Sequence, residues 1–128
     1  MKLFRLERHG RLLMAKSFIE GPAGKAYPKL LVDTGSAYSV VAQEILENIG
    51  LSPAMAERRQ RVVTGSGYEI VPVVIAEKFQ CFGKTMVDFE MLAHTLPLGS
   101  FVDGLLGMDF MSRCDMDLKI STCEVLVK

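Results

Sequence analysis

The sequence predicts an all-β fold with one or two short helices, and three observations lead to this class. Apolar and polar residues alternate along most of the chain, turn sequences rich in glycine separate these runs, and only one segment repeats its apolar residues at helical spacing. The chain has 128 residues, of which 49% are hydrophobic and 23% are charged. This composition is typical of one compact domain, which we expect to span residues 1–128.

Three strands are predicted in the first third of the chain, where apolar residues alternate with charged ones or form short runs between turn residues. They cover residues 3–7, 11–20 and 30–32. His9-Gly10 offers the first turn, and Gly21-Pro22-Ala23-Gly24 offers the second, because proline lacks an N–H donor and glycine tolerates left-handed dihedral angles. The third strand runs directly into Asp33.

One helix is predicted over residues 41–49. Val41, Ile45 and Ile49 recur every four residues and would therefore share one face. Ser39 is the expected N-cap, and Gly50 stands where a left-handed residue usually follows a helix.

The rest of the chain predicts hairpins and short elements. Residues 61–64 and 68–79 flank Gly65-Ser66-Gly67, and residues 85–92 return from a turn at 81–84. A loop is expected over residues 93–100, a short strand over 101–107 and one helical turn over 108–112. The last strands are expected at 117–120 and 123–127, around a turn at Ser121-Thr122.

Charge and cysteine content exclude several classes of protein. Fifteen basic and fifteen acidic residues cancel, so there is no bulk attraction to nucleic acids or anionic membranes. No apolar run approaches the roughly 18 residues of a membrane helix, and the charged N-terminus lacks a secretory core segment. Cys81, Cys114 and Cys123 are an odd number and cannot all pair within one chain, which favours a reducing compartment. We therefore expect a cytoplasmic protein.

The segment most informative about chemistry is Asp33-Thr34-Gly35-Ser36, directly after an apolar strand. An acid in that position is poorly solvated, which raises the cost of its charge. Gly35 permits a tight turn that brings its amide near the carboxylate, and Thr34 and Ser36 add hydroxyl groups. Such a loop can fix a carboxylate with one side open to water. The alternative is an Asx-type turn at a strand end without a catalytic role.

A second segment, Val102-Asp103-Gly104-Leu105-Leu106-Gly107, follows later in the chain. Together and in this order, the two segments resemble the retropepsin-like aspartic proteases, in which an apolar-apolar-Asp-Thr-Gly-Ser/Ala loop is crossed by an apolar-apolar-Gly segment. The resemblance extends over most of the chain. It implies an all-β, closed-barrel subunit of the retropepsin type that forms a twofold homodimer and hydrolyses extended peptides.

The resemblance also implies roles for the matching residues. Asp33 would be the catalytic carboxylate, Thr34 would reach the loop of a second copy, and Gly35 would donate its amide to the carboxylate. Ser36 would hydrogen-bond the outer carboxylate oxygen, and Leu106-Gly107 would pack beneath the loop. Residues assigned to substrate binding, including the glycine-rich flap over the substrate, are Ser36, Gly65, Ser66, Gly67, Asp103 and Leu105.

A homodimer is expected because the chain contains one Asp-Thr-Gly, whereas this chemistry needs two carboxylates around one water molecule. Two carboxylates roughly 3 Å apart cannot both ionise, so one acts as the base and the other as the acid. A twofold dimer would supply Asp33 from each copy. By the resemblance, residues 3–6 and 123–127 are candidates for the shared interface.

The chain departs from the viral members of this family at two places. Those members carry an acid shortly after the catalytic loop, paired with an arginine directly after the apolar-apolar-Gly segment. Ala37 and Met108 stand at these places, so this ion pair is absent and a different, weaker dimer contact is expected.

Other titratable residues have weaker claims to a chemical role. Asp103 as a second carboxylate of an intrachain pair is less favoured than a turn role. His94 and the three cysteines lack the close spacing of zinc ligands, so no metal and no organic cofactor are implied. Two alternatives to a constitutive protease stay open: a catalytically weak or inactive dimer of this fold that binds peptides, and a latent protease that is monomeric at low concentration.

Overall fold

The computed structural model of the protein describes residues 1–95 and 102–128 and consists mostly of β-strands. The strands are β1 (Lys2–Arg5), β2 (Glu7–His9), β3 (Leu12–Gly21), β4 (Gly24–Ala26), β5 (Lys29–Val32), β6 (Val40–Ala42), β7 (Arg58–Thr64), β8 (Gly67–Cys81), β9 (Lys84–His94), β10 (Gly104–Leu106), β11 (Met116–Lys119) and β12 (Glu124–Val127). The helices are α1 (Gln43–Asn48), α2 (Met108–Met111) and a 3-10 turn at Pro53–Met55. The predicted mostly β chain with few short helices is confirmed. Residues 96–101, part of the loop and strand expected over 93–107, lie outside the described residues.

The described strands form a large sheet and a small one. The large sheet has the order β2-β3-β5-β10-β6-β9-β8-β7, with β4 paired to β3. β3 also pairs with β8, from Ser17 opposite Cys81 to Glu20 opposite Lys78. In the middle of this order β5 and β10 run parallel, with Val32 opposite Leu106. The carboxyl ends of both strands therefore meet at one edge, where Asp33 and Gly107 follow.

The small sheet joins the two ends of the described chain in the order β1-β12-β11. β12 lies in the centre, with Phe4 of β1 and Leu118 of β11 both opposite Val125. Val125 and Val127 are buried, whereas Leu3 is 51% exposed. Within the described residues, β1 and β11 each keep one edge without a paired strand.

Aromatic packing attaches α2 to the large sheet. Phe110 of α2 and Phe79 of β8 are fully buried, and their ring centroids lie 5.1 Å apart in an edge-to-face arrangement. Phe79 also stacks on Phe89 of β9, again at 5.1 Å. Burying one such side chain contributes roughly 1.5–3 kcal/mol, so this cluster fixes α2 and the adjoining Gly107 against the body.

The predicted helix is wrong at its start. Val41 belongs to β6, opposite Gly104 of β10 on one side and Ala93 of β9 on the other. α1 begins after Ala42, whose side chain makes no capping bond. Strand pairing on both sides of Val41 thus outweighs the helical spacing of its neighbours. The end was predicted correctly, because Gly50 follows the helix in the left-handed region, with φ of 85°.

Both predicted hairpins in the middle of the chain are present. β7 and β8 pair up to Thr64 and Gly67, which leaves Gly65-Ser66 as the tip. β8 and β9 are joined by Phe82 and Gly83, both with positive φ, as two-residue hairpin turns of type I′ require. No helix among the described residues is long and apolar enough to cross a membrane.

Candidate active site

Asp33 lies where the parallel strands β5 and β10 end side by side. Its backbone N–H donates to the carbonyl oxygen of Leu106 at 3.0 Å, which continues the β5–β10 pairing by one residue. Its own carbonyl oxygen accepts from the N–H of Ser36 at 3.1 Å, which closes the following turn. The two sequence motifs are therefore joined by the backbone of Asp33 itself.

The carboxylate of Asp33 has one fixed and one open oxygen. The Gly35 N–H donates to Oδ1 at 3.0 Å, as predicted. Oδ2 accepts no hydrogen bond from the described residues, and Asp33 is half-buried beside the exposed Thr34 and Gly35. A Cβ on Gly35 would lie 3.3 Å from Oδ1, so glycine suits this close approach. This geometry can orient a carboxylate and leave one oxygen for proton exchange with water.

Ser36 differs from the expectation. Its hydroxyl donates to the carbonyl oxygen of Tyr38 at 2.7 Å, where a bond to the outer oxygen of Asp33 was expected. Its own carbonyl oxygen accepts from the N–H of Met108 at 2.8 Å. Within the described chain Ser36 therefore shapes the loop and ties it to α2.

A set of hydrogen bonds that the sequence did not reveal joins the far end of the loop to α2, and we call it the Ser39–Asp109 cluster. The N–H of Ser39 donates to Oδ2 of Asp109 at 2.9 Å, and its hydroxyl donates to Oδ1 at 2.8 Å. The same hydroxyl accepts from the N–H of Gly107 at 3.0 Å, and the Phe110 N–H donates to Oδ1 of Asp109 at 2.8 Å. Ser39 is fully buried. An N-cap role for Ser39 is wrong.

The apolar-apolar-Gly segment packs against the loop, as the resemblance implied. Leu106 is fully buried, and a Cβ on Gly107 would overlap the carbonyl group of Tyr38. A Cβ on Gly104 would likewise overlap the carbonyl oxygen of Val40. Both glycines are thus required by the close approach of a neighbouring backbone.

Leu105 lies on the face of the sheet opposite the core. Leu106, the next residue of the strand, is in the core, and successive side chains of a strand point to opposite faces. Leu105 is paired with Leu31 and with Val40. Val40 packs against the cluster of Val71, Val73 and Leu92, and Val62 of β7 packs against the same cluster. The half-buried Leu105 therefore faces the side on which the β7–β8 hairpin lies.

Asp103 secures the opposite end of the same strands. Its carboxylate accepts from the backbone N–H of Lys29 at 2.9 Å, and its own N–H donates to the Lys29 carbonyl at 2.7 Å. Asp103 precedes β10 whereas Asp33 follows β5, so roughly 13 Å along the strands separates the two acids. These contacts agree with the expected turn role. A contact between Asp103 and substrate stays a prediction.

The β7–β8 hairpin carries Gly65, Ser66 and Gly67 at an exposed tip. On one face Val62 packs against Val71, Val73 and Leu92, and Tyr38 of the catalytic loop (residues 33–39) packs against the same cluster. A further polar contact on this side joins Glu69 of β8 to His94 of β9, with Oε2 and Nε2 3.0 Å apart.

The opposite face of the hairpin is open. Val63 is 79% exposed and Tyr68 is 59% exposed, and the Arg61 guanidinium lies 4.3 Å from the Tyr68 ring centre. The hairpin thus has one face turned toward the loop and one toward solvent.

An open cavity of about 560 Å³ adjoins the catalytic loop. Asp33 and Thr34 line one side of it, and Arg8, Leu12 and Ile120 line another. Leu12 is 43% exposed and Ile120 is 67% exposed, so the cavity beside the candidate carboxylate includes exposed apolar surface.

Cys81 and Cys114 are not activated nucleophiles. Burial raises the pKa of Cys81 to about 12, and burial also raises the pKa of Cys114 above its ordinary value. A thiol with a raised pKa carries little thiolate at neutral pH. In the described ranges, no group of three or more His, Cys, Asp or Glu side chains is placed to hold a metal ion.

Comparisons with known proteins agree with this geometry. A family model described as aspartyl protease matches residues 21–110, which include Asp33 and Gly107. The structure is similar to a retropepsin-like aspartic protease from Rickettsia conorii, with a TM-score of 0.70 and 16% identity over 98% of this chain and 99% of that one. No curated protein matches the sequence significantly.

Two further solved structures share the fold. The retroviral protease-like domain of Ddi1 from Leishmania major has a TM-score of 0.60 and 16% identity over 91% of this chain and 88% of that one. The EIAV protease, solved with the inhibitor HBY-793, has a TM-score of 0.56 and 16% identity over 78% of this chain and 85% of that one.

Proposed function

Because this chain belongs to the aspartyl protease family, we propose that it is an aspartic-type endopeptidase whose active unit is a twofold homodimer. Each copy would contribute one Asp33, and a water molecule would lie between the two carboxylates. The observation that carries the proposal is the carboxylate of Asp33 itself, with Oδ1 held by Gly35 and Oδ2 open beside exposed loop residues.

The proposed mechanism follows from placing two such carboxylates together. At a separation of roughly 3 Å they share one proton, because both cannot carry a charge. The ionised partner takes a proton from water as general base, and the protonated partner donates to the peptide carbonyl oxygen and later to the leaving amine. The two apparent pKa values of this pair would belong to the pair as a whole.

The second carboxylate has to come from a second copy. Asp103, an acid on the neighbouring strand, lies at the opposite end of β10 and is engaged by Lys29. Exposed Thr34, together with Leu12 and Ile120 around the adjoining cavity, forms a surface that a partner would cover. The edges of β1 and β11 that no described strand pairs with offer further surface, because exposed strand edges favour pairing with another chain.

The proposed substrate is an extended peptide lying between the catalytic loop and the β7–β8 hairpin. It would add backbone hydrogen bonds in the manner of a β-strand, with Gly65, Ser66 and Gly67 as a movable flap above it. Leu105 would contact its side chains from below, because Leu105 faces the side on which Val62 of the hairpin packs.

The same proposal includes the architecture of the subunit. The pairing of β3 with β8 connects two distant parts of the strand order and supports a closed barrel. We propose that residues 1–128 form one such domain and that it acts in the cytoplasm without a metal or organic cofactor.

Cleavage of a peptide library tests the proposed function. The wild type is expected to cleave, a statine-type inhibitor to block cleavage, and Asp33→Ala to lower the rate by about 10³-fold or more. Asp88→Asn is the matched control, since Asp88 is exposed on β9 and asparagine also tolerates its positive φ of 51°. Equal rates for the wild type and Asp33→Ala, at equal folded concentration, would contradict an aspartic protease.

A peptide-binding dimer is the second candidate, and one observation favours it. Ala37 and Met108 leave the loop without the ion pair of viral members, so the separation of the two Asp33 side chains depends on other contacts. A crystal structure of the dimer decides between the two. Carboxylates roughly 3 Å apart support hydrolysis, and widely separated carboxylates with peptide bound uncut support the binding module. Sedimentation over a concentration series, with activity measured in parallel, identifies a latent monomeric protease.

A further inference from the structure

The catalytic loop is anchored at two points. At its start, the N–H of Asp33 donates to Leu106. At its end, Ser39 donates two hydrogen bonds to Asp109. Thr34, Gly35 and Ala37 between these points are exposed, and the contact of Ser36 with Met108 is the further tie to α2. The orientation of the loop is therefore determined mainly at its two ends.

The second anchor depends on the carboxylate of one residue. Three donors converge on Asp109: the N–H and hydroxyl of Ser39, and the N–H of Phe110. A carboxylate accepts at both oxygens, whereas an asparagine would present an NH₂ group to one of these donors. Hydrogen bonds to an ionised acceptor are roughly twice as strong as neutral ones.

Burial makes this anchor difficult to replace. Ser39 is fully buried, so water cannot take the place of a lost acceptor. A buried donor without a partner costs roughly 1–3 kcal/mol. The Ser39 hydroxyl also accepts from Gly107, so a change at Asp109 reaches the segment directly beneath the loop.

We propose that Asp109 is a positioning residue for catalysis, which through Ser39 holds the loop that carries Asp33. This inference rests on the proposed protease function. In a dimer the two carboxylates must be placed within about 0.5 Å of their working positions. Ala37 and Met108 cannot form the ion pair that viral members have at these places. Asp109 would instead fix the loop through contacts within its own chain.

The consequence is a selective loss in the chemical step. A displacement of about 1 Å at reacting groups can cost about 10²-fold in rate. The surfaces proposed to bind substrate are held by the pairing of Leu105 with Leu31 and by the packing of Val71, Val73 and Leu92 in and beside the β7–β8 hairpin. Weakening the Ser39–Asp109 cluster should therefore lower kcat and leave KM nearly unchanged.

Kinetics of Asp109→Asn, Ser39→Ala and the double variant test the proposal, with Asp88→Asn as the control. Rates are measured per folded dimer, counted by sedimentation below the melting temperature. We expect Asp109→Asn to lower kcat about 10- to 100-fold with KM within about threefold, and to displace the acid limb of the kcat–pH profile. The double variant should match Asp109→Asn, because both residues act through one network. Unchanged kcat and pH profile per folded dimer would overturn the positioning role.

Amide hydrogen exchange separates this proposal from the proposed function. Asp109→Asn should accelerate exchange of the Ser39 and Gly107 amides at least about tenfold, without accelerating the amides of β8. Unchanged exchange at those two amides overturns the anchor even if the enzyme is active. If the wild type cleaves no peptide, the protease function fails, and the exchange rates still decide whether Asp109 anchors the loop.

Discussion

The catalytic loop and the tip of the β7–β8 hairpin are both short, glycine-containing turns on the proposed substrate side, yet they are held very differently. The loop ends in the fully buried Ser39 and lies over Gly107, where a Cβ would overlap the Tyr38 carbonyl. At the hairpin tip, a Cβ on Gly65 would meet no atom of the described residues within 4 Å, its chain neighbours aside. Val63 beside the tip is 79% exposed.

This difference corresponds to two requirements of the proposed active site, a fixed catalytic group and a movable cover. Groups that transfer protons must be fixed by packing and hydrogen bonds, whereas a segment that admits an extended peptide must be able to move. Regions with few buried contacts open at low free-energy cost, and densely packed regions open only with the whole domain. The catalytic loop is a densely packed region, and the hairpin tip is a region with few buried contacts.

Two glycine substitutions give the largest expected contrast. Gly107→Ala forces a Cβ against backbone and is expected to lower the free energy of unfolding by about 1–3 kcal/mol or more. The Cβ added by Gly65→Ala enters open space, so the free energy of unfolding should change by no more than about 0.5 kcal/mol. Urea denaturation of both variants measures the two values. Equal destabilisation would remove the distinction between a fixed loop and a free tip.

The rate at which a reagent alkylates Cys81 reports whether the densely packed part of the domain opens. Cys81 is buried at the end of β8 far from the tip, and burial raises its pKa to about 12. The stability linked to this shift is present below the ordinary thiol pKa of about 8.5 and is lost as pH rises toward 12. At neutral pH, Gly107→Ala should speed Cys81 alkylation about tenfold for each 1.4 kcal/mol lost. Gly65→Ala should leave the rate unchanged, and faster labelling in that variant would contradict independent opening of the tip.

A smaller effect is expected from releasing the hairpin. Glu69→Gln weakens the contact with His94, whose side chain is 43% exposed. Exposed pairs contribute about 0.2–1 kcal/mol, so KM for peptide should rise by no more than about fivefold, with kcat nearly unchanged. Glu90→Gln is the matched control, because it breaks a similar pair with Arg58 at the base of the hairpin. An equal rise in KM for the control would show that the Glu69 contact has no special role.

The smallest effect is predicted at Ser36. A hydrogen-bond donor to an ionised carboxylate favours its charged form, so removing such a donor would move the acid limb of the pH profile upward. The Ser36 hydroxyl donates to Tyr38 instead, so Ser36→Ala should leave the acid limb in place. An upward shift in the pH profile would show that Ser36 reaches Asp33 in the assembled enzyme.

The parts of the site that the sequence predicted are those encoded locally. The apolar run before Asp33 predicted β5, and the glycine after Asp33-Thr34 predicted the amide contact to the carboxylate. The start of α1 could not be predicted in this way, because Val41 is held by pairing with β9 and β10, which lie far along the chain.

The Ser39–Asp109 cluster could be predicted from the sequence even less than the start of α1. Its two residues are 70 positions apart, and each alone has an ordinary local interpretation, Ser39 as a helix cap and Asp109 as an acid in a helical turn. The one local signal was the position of Asp109 two residues after the apolar-apolar-Gly segment. The contact between them depends on the fold that brings β10 beside β5 and β6.

Subunit mixing tests most directly whether two copies share one active site. Wild-type chains are mixed with Asp33→Asn chains at a constant total concentration, after dissociation and reassembly, and peptide cleavage is measured. If each site needs Asp33 from both copies, an equal mixture retains about one quarter of the wild-type activity, because only dimers of two wild-type chains work. Retention of about one half, with activity proportional to the wild-type fraction, would mean that each chain acts alone and would contradict the account.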